Sequence, residues 1–152
     1  MENITIEKLN SSNVDELYNL LQELAEHHNN VSKYFKGKFP SKPLDEKIAE
    51  IKEKVINNVS LVDVIRLDNN IIAFSIYFID NNIGTLEYLI VSKKNRNKRY
   101  GRILMDNVIA YFTENNVKRI EIRIVYGNDI AKRFYEHYGF QTQSEILTLY
   151  CE

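Results

Sequence analysis

Between Ser60 and Val91 three β-rich runs, SLVDVIRL, IIAFSIYFI and GTLEYLIV, follow one another with almost nothing between them. The first gap is Asp68-Asn69-Asn70, and the second is centred on Asn81-Asn82. Asparagine and aspartate tolerate the left-handed backbone that tight hairpins need. Gaps this short leave no room for a crossover, so the runs are expected to be neighbouring antiparallel strands. Such a meander must bury its apolar faces, which points to a sheet with helices packed on it. The third run is nearly continuous in apolar residues, as expected of a central strand buried on both faces.

The flanking segments supply the cover. ITIEKL (Ile4 to Leu9) alternates apolar and polar and predicts a first strand. Asn13 and Glu16 are spaced like a capping box, and Val14, Leu17, Leu21, Leu24 and His28 then recur at helical spacing. HNNVSKYFKGKFPSKP breaks the pattern and predicts a loop. Leu44, Ile48, Ile51 and Val55 predict a second helix, and Leu104, Val108, Tyr111 and Phe112 a third. KRIEIRIV predicts a strand. Asn128 is placed to cap a short helix with Ala131, Phe134, Tyr135 and Tyr138 on one side, and Gly139 suits a left-handed stop. SEILTLYC predicts a last strand. The order is β-α-α-β-β-β-α-β-α-β, an α/β (α+β mixed) chain with a mixed central sheet and helices on both faces. No repeat or linker divides the 152 residues, so a single domain over residues 1–152 is expected.

Charge narrows the function. Lys and Arg number 20 against 21 Asp and Glu, a net charge of -1, which argues against nucleic-acid binding. No apolar run approaches the ~20 residues that cross a membrane, and MENITIEKLN lacks a hydrophobic signal core. One cysteine, Cys151, forms no internal disulfide and no metal cluster, so the expectation is a cytoplasmic protein without a metal. Against this near-neutral background VSKKNRNKRYGRILM stands out, with Lys93, Lys94, Arg96, Lys98, Arg99 and Arg102 and no acid. It joins a strand to a helix that is expected to start near Gly101. Unpaired N–H groups and the dipole at a helix start attract anions, and the strand delivers them to the carboxyl edge of the sheet. A ligand with several phosphates fits. On charge alone a solvated loop is equally open, and neither a Walker A loop nor a G-x-G-x-x-G fingerprint is present.

A second segment, NDIAKRFYEHYGF (Asn128 to Phe140), resolves this. R-N-K-R-Y-G (Arg96 to Gly101) together with N-x-x-A-x-x-F-Y-x-x-x-G-F resembles the paired signatures of the GNAT superfamily of acetyl-CoA-dependent N-acetyltransferases. The first resembles the pyrophosphate signature [Q/R]-x-x-G-x-[G/A], and the second resembles the final helix. The element order agrees with that fold along essentially the whole chain. The chain departs from the pattern at Arg99 and Asn97, where glycines are usual.

The resemblance implies a GNAT-like fold, acetyl-CoA as cosubstrate, no metal, and direct acetyl transfer to a primary amine in a ternary complex. A small-molecule amine is the first expectation for the acceptor. It implies that Arg96, Asn97, Lys98, Arg99, Tyr100, Gly101 and Arg102 hold the pyrophosphate. Leu89, Ile90 and Val91 then receive the pantetheine arm on their backbone, with one N–H on the thioester carbonyl. Asn128 and Ala131 are implied at the cofactor, although Asn128 can also simply cap its helix. Tyr135 is implied as the acid that protonates the departing thiolate. Tyr138 is its rival, and packing beside Phe134 is the plain alternative. Glu87 is the only acid in its strand, and a carboxylate there costs free energy unless it meets water or a partner. The resemblance implies that it accepts the amine's proton, often through water; a paired structural glutamate is equally open. His28, Tyr34 and Phe35 follow the first helix, where the family shapes the acceptor site. Glu23, Glu26 and Glu87 would suit a cationic amine. His27 and His28 are adjacent and so do not share a helix face as a metal pair. The competing readings are a peptide or protein acceptor, a catalytically weak coenzyme A-binding module of the same fold, and a nucleic-acid-binding domain. A homodimer is compatible with any of them.

Overall fold

The computed structural model describes residues 4–151. In chain order it contains β1 (Ile4–Lys8), α1 (Tyr18–Val31), α2 (Leu44–Ile56), β2 (Leu61–Leu67), β3 (Asn70–Asp80), β4 (Ile83–Val91), α3 (Tyr100–Glu114), β5 (Arg119–Ile122) and α4 (Asp129–Glu136). Short 3-10 turns over Ser11–Leu17 and Lys93–Asn95 lead into α1 and α3. The strands lie side by side in sequence order. β1 to β4 are antiparallel, and β5 joins β4 in parallel after the α3 crossover.

The two tight hairpins form as expected. Asp68 and Asn69 have φ of 51 and 72°, and Asn81 and Asn82 have 51 and 64°. A left-handed pair matches the twist of the strands it connects. Successive strand residues point to opposite faces, so the sheet has two cores. Val62, Val64, Phe74 and Ile76 pack beneath Leu17, Leu21, Ile48 and Ile51 of the α1–α2 layer. Ile65, Ala73, Tyr77 and Leu86 face the α3 layer, where Leu104, Met105, Val108 and Phe112 recur at helical spacing. Phe134 and Tyr135 place α4 on that same side. The second face buries the polar Asp63, 2% exposed, and Ser75 directly opposite it on β3. Asp63 accepts a hydrogen bond from the Tyr77 hydroxyl at 2.8 Å, and Lys8 donates to the Tyr77 oxygen at 2.9 Å. Burial, then the Asp63 charge, hold the Tyr77 phenol well above its ordinary pKa.

Four expectations are corrected. The Asn13–Glu16 capping box does not form: the first turn opens after Asn10 with no side-chain cap. Glu16 is taken by Arg66, which reaches its oxygens at 3.1 and 3.2 Å and also binds Glu7. A bidentate guanidinium–carboxylate pair outcompetes a single neutral cap bond. Helix α1 continues through Val31, so the loop expected to begin at His28 starts later, while His28 itself lies in the last helical turn as its spacing predicted. The central strand is β3, whereas β4 lies nearer the edge and exposes Glu87 in its middle. Finally, SEILTLYC is not a strand. Residues 141–151 have no regular secondary structure and are exposed throughout. β-propensity expresses packing on a sheet surface, and this segment pairs with none of the described strands.

Candidate active site

The site begins where β4 and β5 part. Their ladder covers only Ile83 to Leu86 on β4, against Arg119 to Ile122 on β5. From Glu87 to Val91, β4 keeps β3 on one side and, among the described residues, has no strand on the other. Backbone groups on that edge are open to a ligand, and they need partners wherever they are shielded from water. The register with β3 slips here: Ile76 opposes Tyr88, and Tyr77 opposes Leu86. Glu87 is therefore the extra residue of a β-bulge, a device that re-aims a side chain. Leu86 packs towards α3 and Tyr88 towards α1 and α2. Glu87 also turns to the α2 side, where its carboxylate lies 3.5 Å from Lys54 Nζ.

The basic turn leads from this edge into α3. The helix start has no side-chain cap and no acid in its first turn. Its N-cap, Arg99, has φ 69°, and Asn97 has φ 64°. These are the two positions where the family signature favours glycine, and both keep the left-handed backbone. For arginine that conformation costs about 1–2 kcal/mol, and less for asparagine. The Arg99 side chain is exposed, whereas Tyr100 is buried in the α3 core. Tyr100 can thus offer a ligand only its backbone. The Arg96 Nε–H donates to the Val91 carbonyl at 3.4 Å. A Cβ on Gly101 would stand 3.7 Å from Val91 Cγ2 and 3.8 Å from Phe134 Cζ, so β4, α3 and α4 meet there. Leu89 and Val91 pack on the α3 side, and Ile90 on the other.

Asn128 caps α4, its Oδ1 accepting the Ala131 N–H at 3.3 Å. Its side chain also bonds the His27 ring. Burial lowers the His27 pKa, the Arg96 charge lowers it further, and the Asn128 bond opposes both. His27 thus stands between the basic turn and α4, a position that the sequence did not signal. Only a close backbone approach brings these segments together: a Cβ on Gly127 would lie 2.2 Å from the Val31 carbonyl. Tyr135 is half-buried between the rings of Phe134 and Phe140, at 5.2 and 5.9 Å, and burial raises its phenol pKa. The Tyr138 hydroxyl donates to Asp106 Oδ1 at 3.0 Å. Burial, then Asp106, push its pKa up to about 12.

On the α1–α2 side His28 meets the Phe39 ring edge-on at 5.3 Å. Burial, then the charges of His27 and Lys47, lower its pKa to about 4. Asn29 holds Phe39 in place, accepting the Phe39 N–H at 3.0 Å and donating to its carbonyl at 2.7 Å. Lys47 Nζ lies 3.4 Å from the Tyr88 hydroxyl. Burial lowers the Lys47 pKa, and Lys42 lowers it further, against Glu50 and Glu87. Tyr34 stacks on Tyr126 at 6.1 Å, and Phe35 meets Tyr150 at 5.5 Å. Glu23 accepts the Lys93 backbone N–H at 3.0 Å, and Glu26 is exposed. An open cleft of about 900 Å³, lined by Glu16, Leu20, Glu23, Ile72, Lys93 and Lys94, lies beside the turn. Neither Glu87 nor Tyr135 lines it, so this cleft is not where the bulge and the open edge are. Among the described residues no group of three or more His, Cys, Asp or Glu is placed to hold a metal, and no helix is long and apolar enough to cross a membrane.

Residues 15–140 match the acetyltransferase (GNAT) family. Among solved structures, the PaiA N-acetyltransferase from Thermoplasma acidophilum in complex with coenzyme A has TM-score 0.80 at 17% identity, covering 95% of this chain and 93% of that one. The aminoglycoside N-acetyltransferase AAC(6')-Iy in complex with CoA has TM-score 0.75 at 15% identity, covering 99% and 96%. A GNAT-family acetyltransferase from Staphylococcus aureus Mu50 has TM-score 0.72 at 23% identity, covering 91% and 85%. No curated protein matches. At these identities the solved structures establish a common fold, and the match over residues 15–140 establishes the family. The chain, with its parted β4 and β5 and its uncapped α3, belongs to the acetyltransferase (GNAT) family and is an acyltransferase.

Proposed function

We propose that the chain transfers an acetyl group from acetyl-CoA to a small primary amine by direct attack in a ternary complex. The observation that carries this reading is the parting of β4 from β5 after Leu86, beside both the Glu87 bulge and the uncapped start of α3. The CoA-bound relatives support the cosubstrate. In this reading the pyrophosphate sits on the N–H groups of Tyr100, Gly101 and Arg102, with Arg96, Lys98 and Arg102 adding charge and Asn97 and Arg99 shaping the turn. The pantetheine extends along Leu89, Ile90 and Val91, where one N–H polarises the thioester carbonyl and stabilises the oxyanion. Asn128 and Ala131 border the cofactor at the start of α4, with His27 beside them.

Chemistry runs through the gap. The neutral amine attacks the carbonyl carbon, the tetrahedral oxyanion collapses, and the C–S bond breaks. Glu87, on the α2 side, takes the amine's proton directly or through water. Tyr135, on the α4 side, gives its proton to the thiolate. A raised phenol pKa keeps Tyr135 protonated at neutral pH, ready to donate. Tyr138 is the weaker candidate because its hydroxyl is bound to Asp106. His28 and Phe39 wall the acceptor side, with Tyr34 and Phe35 further along the same loop. Lys54 pairs with Glu87, and Glu87 acts on Lys47, so two ammonium groups flank the base. That favours, among the cationic amines that the acids alone would suit, an acceptor of low positive charge.

The test is thiol release from acetyl-CoA across a panel of amines, from amino-acid-like compounds to polyamines. Release with amines of low charge is expected. Coenzyme A binding without release from any amine would turn the reading into a binding module, and absence of both would end it.

A further inference from the structure

We propose that the acceptor is a free amino acid, its carboxylate held by the Lys47 ammonium and the Tyr88 hydroxyl while its amine lies at Glu87. This inference rests on the acetyl-transfer reading and names the acceptor class for it. It starts from a charge that the fold leaves over. Around the start of α2 and the β4 bulge, Lys42 takes Glu50 at 2.6 Å, and Lys54 stands 3.5 Å from Glu87. The two acids whose fields reach Lys47 are thus each held by another lysine. Lys47 itself forms no ion pair with any described carboxylate, yet it is half-buried, whereas Lys42 is exposed. An ammonium drawn out of water without a counter-ion costs free energy.

Tyr88 completes an anion cradle. Lys47 Nζ donates to its hydroxyl oxygen at 3.4 Å and lies 5.8 Å from its ring centroid. The hydroxyl accepts there, which leaves its own proton to donate. Burial, then the charges of Glu87 and Glu50, push the Tyr88 phenol up to about 12, so it keeps that proton at neutral pH. A carboxylate oxygen set between the two groups receives one bond from an ammonium and one from a hydroxyl. Tyr88 follows Glu87 directly, and the bulge turns both to the α2 side. The cradle therefore stands next to the base.

An α-amino acid carries its amine one carbon from its carboxylate, which suits a base beside an anion cradle. The wall adds apolar surface and no charge. His28 is neutral at neutral pH, since burial, then His27 and Lys47, lower its pKa to about 4, and it meets Phe39 edge-on at 5.3 Å. A polyamine would bring a second ammonium towards Lys47 and be repelled. A peptide amino terminus has an amide where the carboxylate should be, and would leave Lys47 without a counter-ion.

The test measures thiol release from acetyl-CoA with the common L-amino acids, with the same amino acids as carboxamides, and with dipeptides. In the parent, kcat/KM for the acids should exceed that for the amides by about 10–100-fold, the worth of a hydrogen bond between charged groups, and the difference should lie in KM. Lys47→Met should bring that ratio near one, and Lys47→Arg, which keeps the charge, should retain part of it. Lys52→Met removes a charge of the same helix that is paired with Asp15, and should leave the ratio as in the parent. Comparing ratios between variants cancels the differing basicity of the amines. Amides or dipeptides as good as the acids, or a ratio that survives Lys47→Met, overturns the carboxylate site and leaves acetyl transfer standing. Release from no amine at all ends the acetyl-transfer reading instead. Calorimetry of the amino acids with the coenzyme A-loaded chain then decides: binding that Lys47→Met abolishes keeps the amino-acid site, and no binding, or equal binding in both, overturns it. Should Lys47→Met fail to fold, Tyr88→Phe carries the same comparison.

Discussion

At Gly101 the interior of the protein has room for a methyl group, since a Cβ there makes only ordinary contacts with Val91 and Phe134. Replacing glycine by alanine in a helix gains at most ~1 kcal/mol, and less in a first turn. Gly101→Ala is therefore expected to melt at or above the parent temperature. If the pyrophosphate lies on this backbone, the same methyl should raise the coenzyme A dissociation constant by about tenfold or more, or ~1.4 kcal/mol. Calorimetry beside thermal melts separates the two effects, and unchanged affinity would move the phosphates elsewhere. Tyr135→Phe keeps the ring and removes the proton. Turnover should fall by ~10²–10⁴-fold with little change in coenzyme A affinity. Tyr138→Phe should lose only its bond to Asp106 and stay near parent activity; the reverse pattern would exchange the two roles. Glu87→Gln should show a defect that shrinks as pH rises, because the acceptor amine then deprotonates without help. Tyr135→Phe should show no such rescue in pH–rate profiles, since higher pH cannot restore an acid. At this scale Glu87 and Tyr135 were legible as residue types in motifs. That Glu87 is a bulge residue, and that His27 reaches Asn128, were not, because both depend on register and on contacts between distant segments.

The seating of α3 on β4 rests on Gly84. A Cβ at this position would stand 2.9 Å from three carbons of the Phe112 ring, closer than real side chains approach. Phe112 is fully buried and packs on Tyr77 at 5.8 Å between ring centroids, so it has little room to withdraw. Gly84→Ala should cost about 1–3 kcal/mol, the usual range for overpacking. Adding Phe112→Leu should recover part of that loss, so urea unfolding of the four proteins should give a coupling of about 0.5–3 kcal/mol. Strict additivity would show that the helix shifts freely instead. The helices and hairpins were legible as elements because periodicity and turn chemistry act locally. The segment 144–151 is as rich in β-formers and is no strand in the structure, because a strand exists only by pairing.

Over the whole molecule, acid should weaken the fold through His28. Its folded pKa of about 4 lies below the ordinary value of 6.5. Between these values the unfolded chain binds the proton more readily, so stability falls as pH drops through that window. His27 is shifted the same way and adds to the slope. Melting temperatures from pH 7 to 4 should fall less steeply for His28→Phe, which keeps a ring beside Phe39; parallel curves would remove His28 as the cause. The amino-acid sequence by itself determined the layers of this protein: a meander closed by asparagine turns, covered by helices whose apolar stripes repeat every three to four residues, and a basic turn at a helix start. These follow from interactions between near neighbours, which any stretch of chain carries with it. Tertiary structure alone decided where β5 leaves β4, which way Glu87 points, that Lys54 and Lys47 flank it, and that residues 141–151 stay outside the sheet. Each of these depends on strand register or on residues dozens of positions apart, and a one-residue slip in register sends a side chain to the opposite face of the sheet.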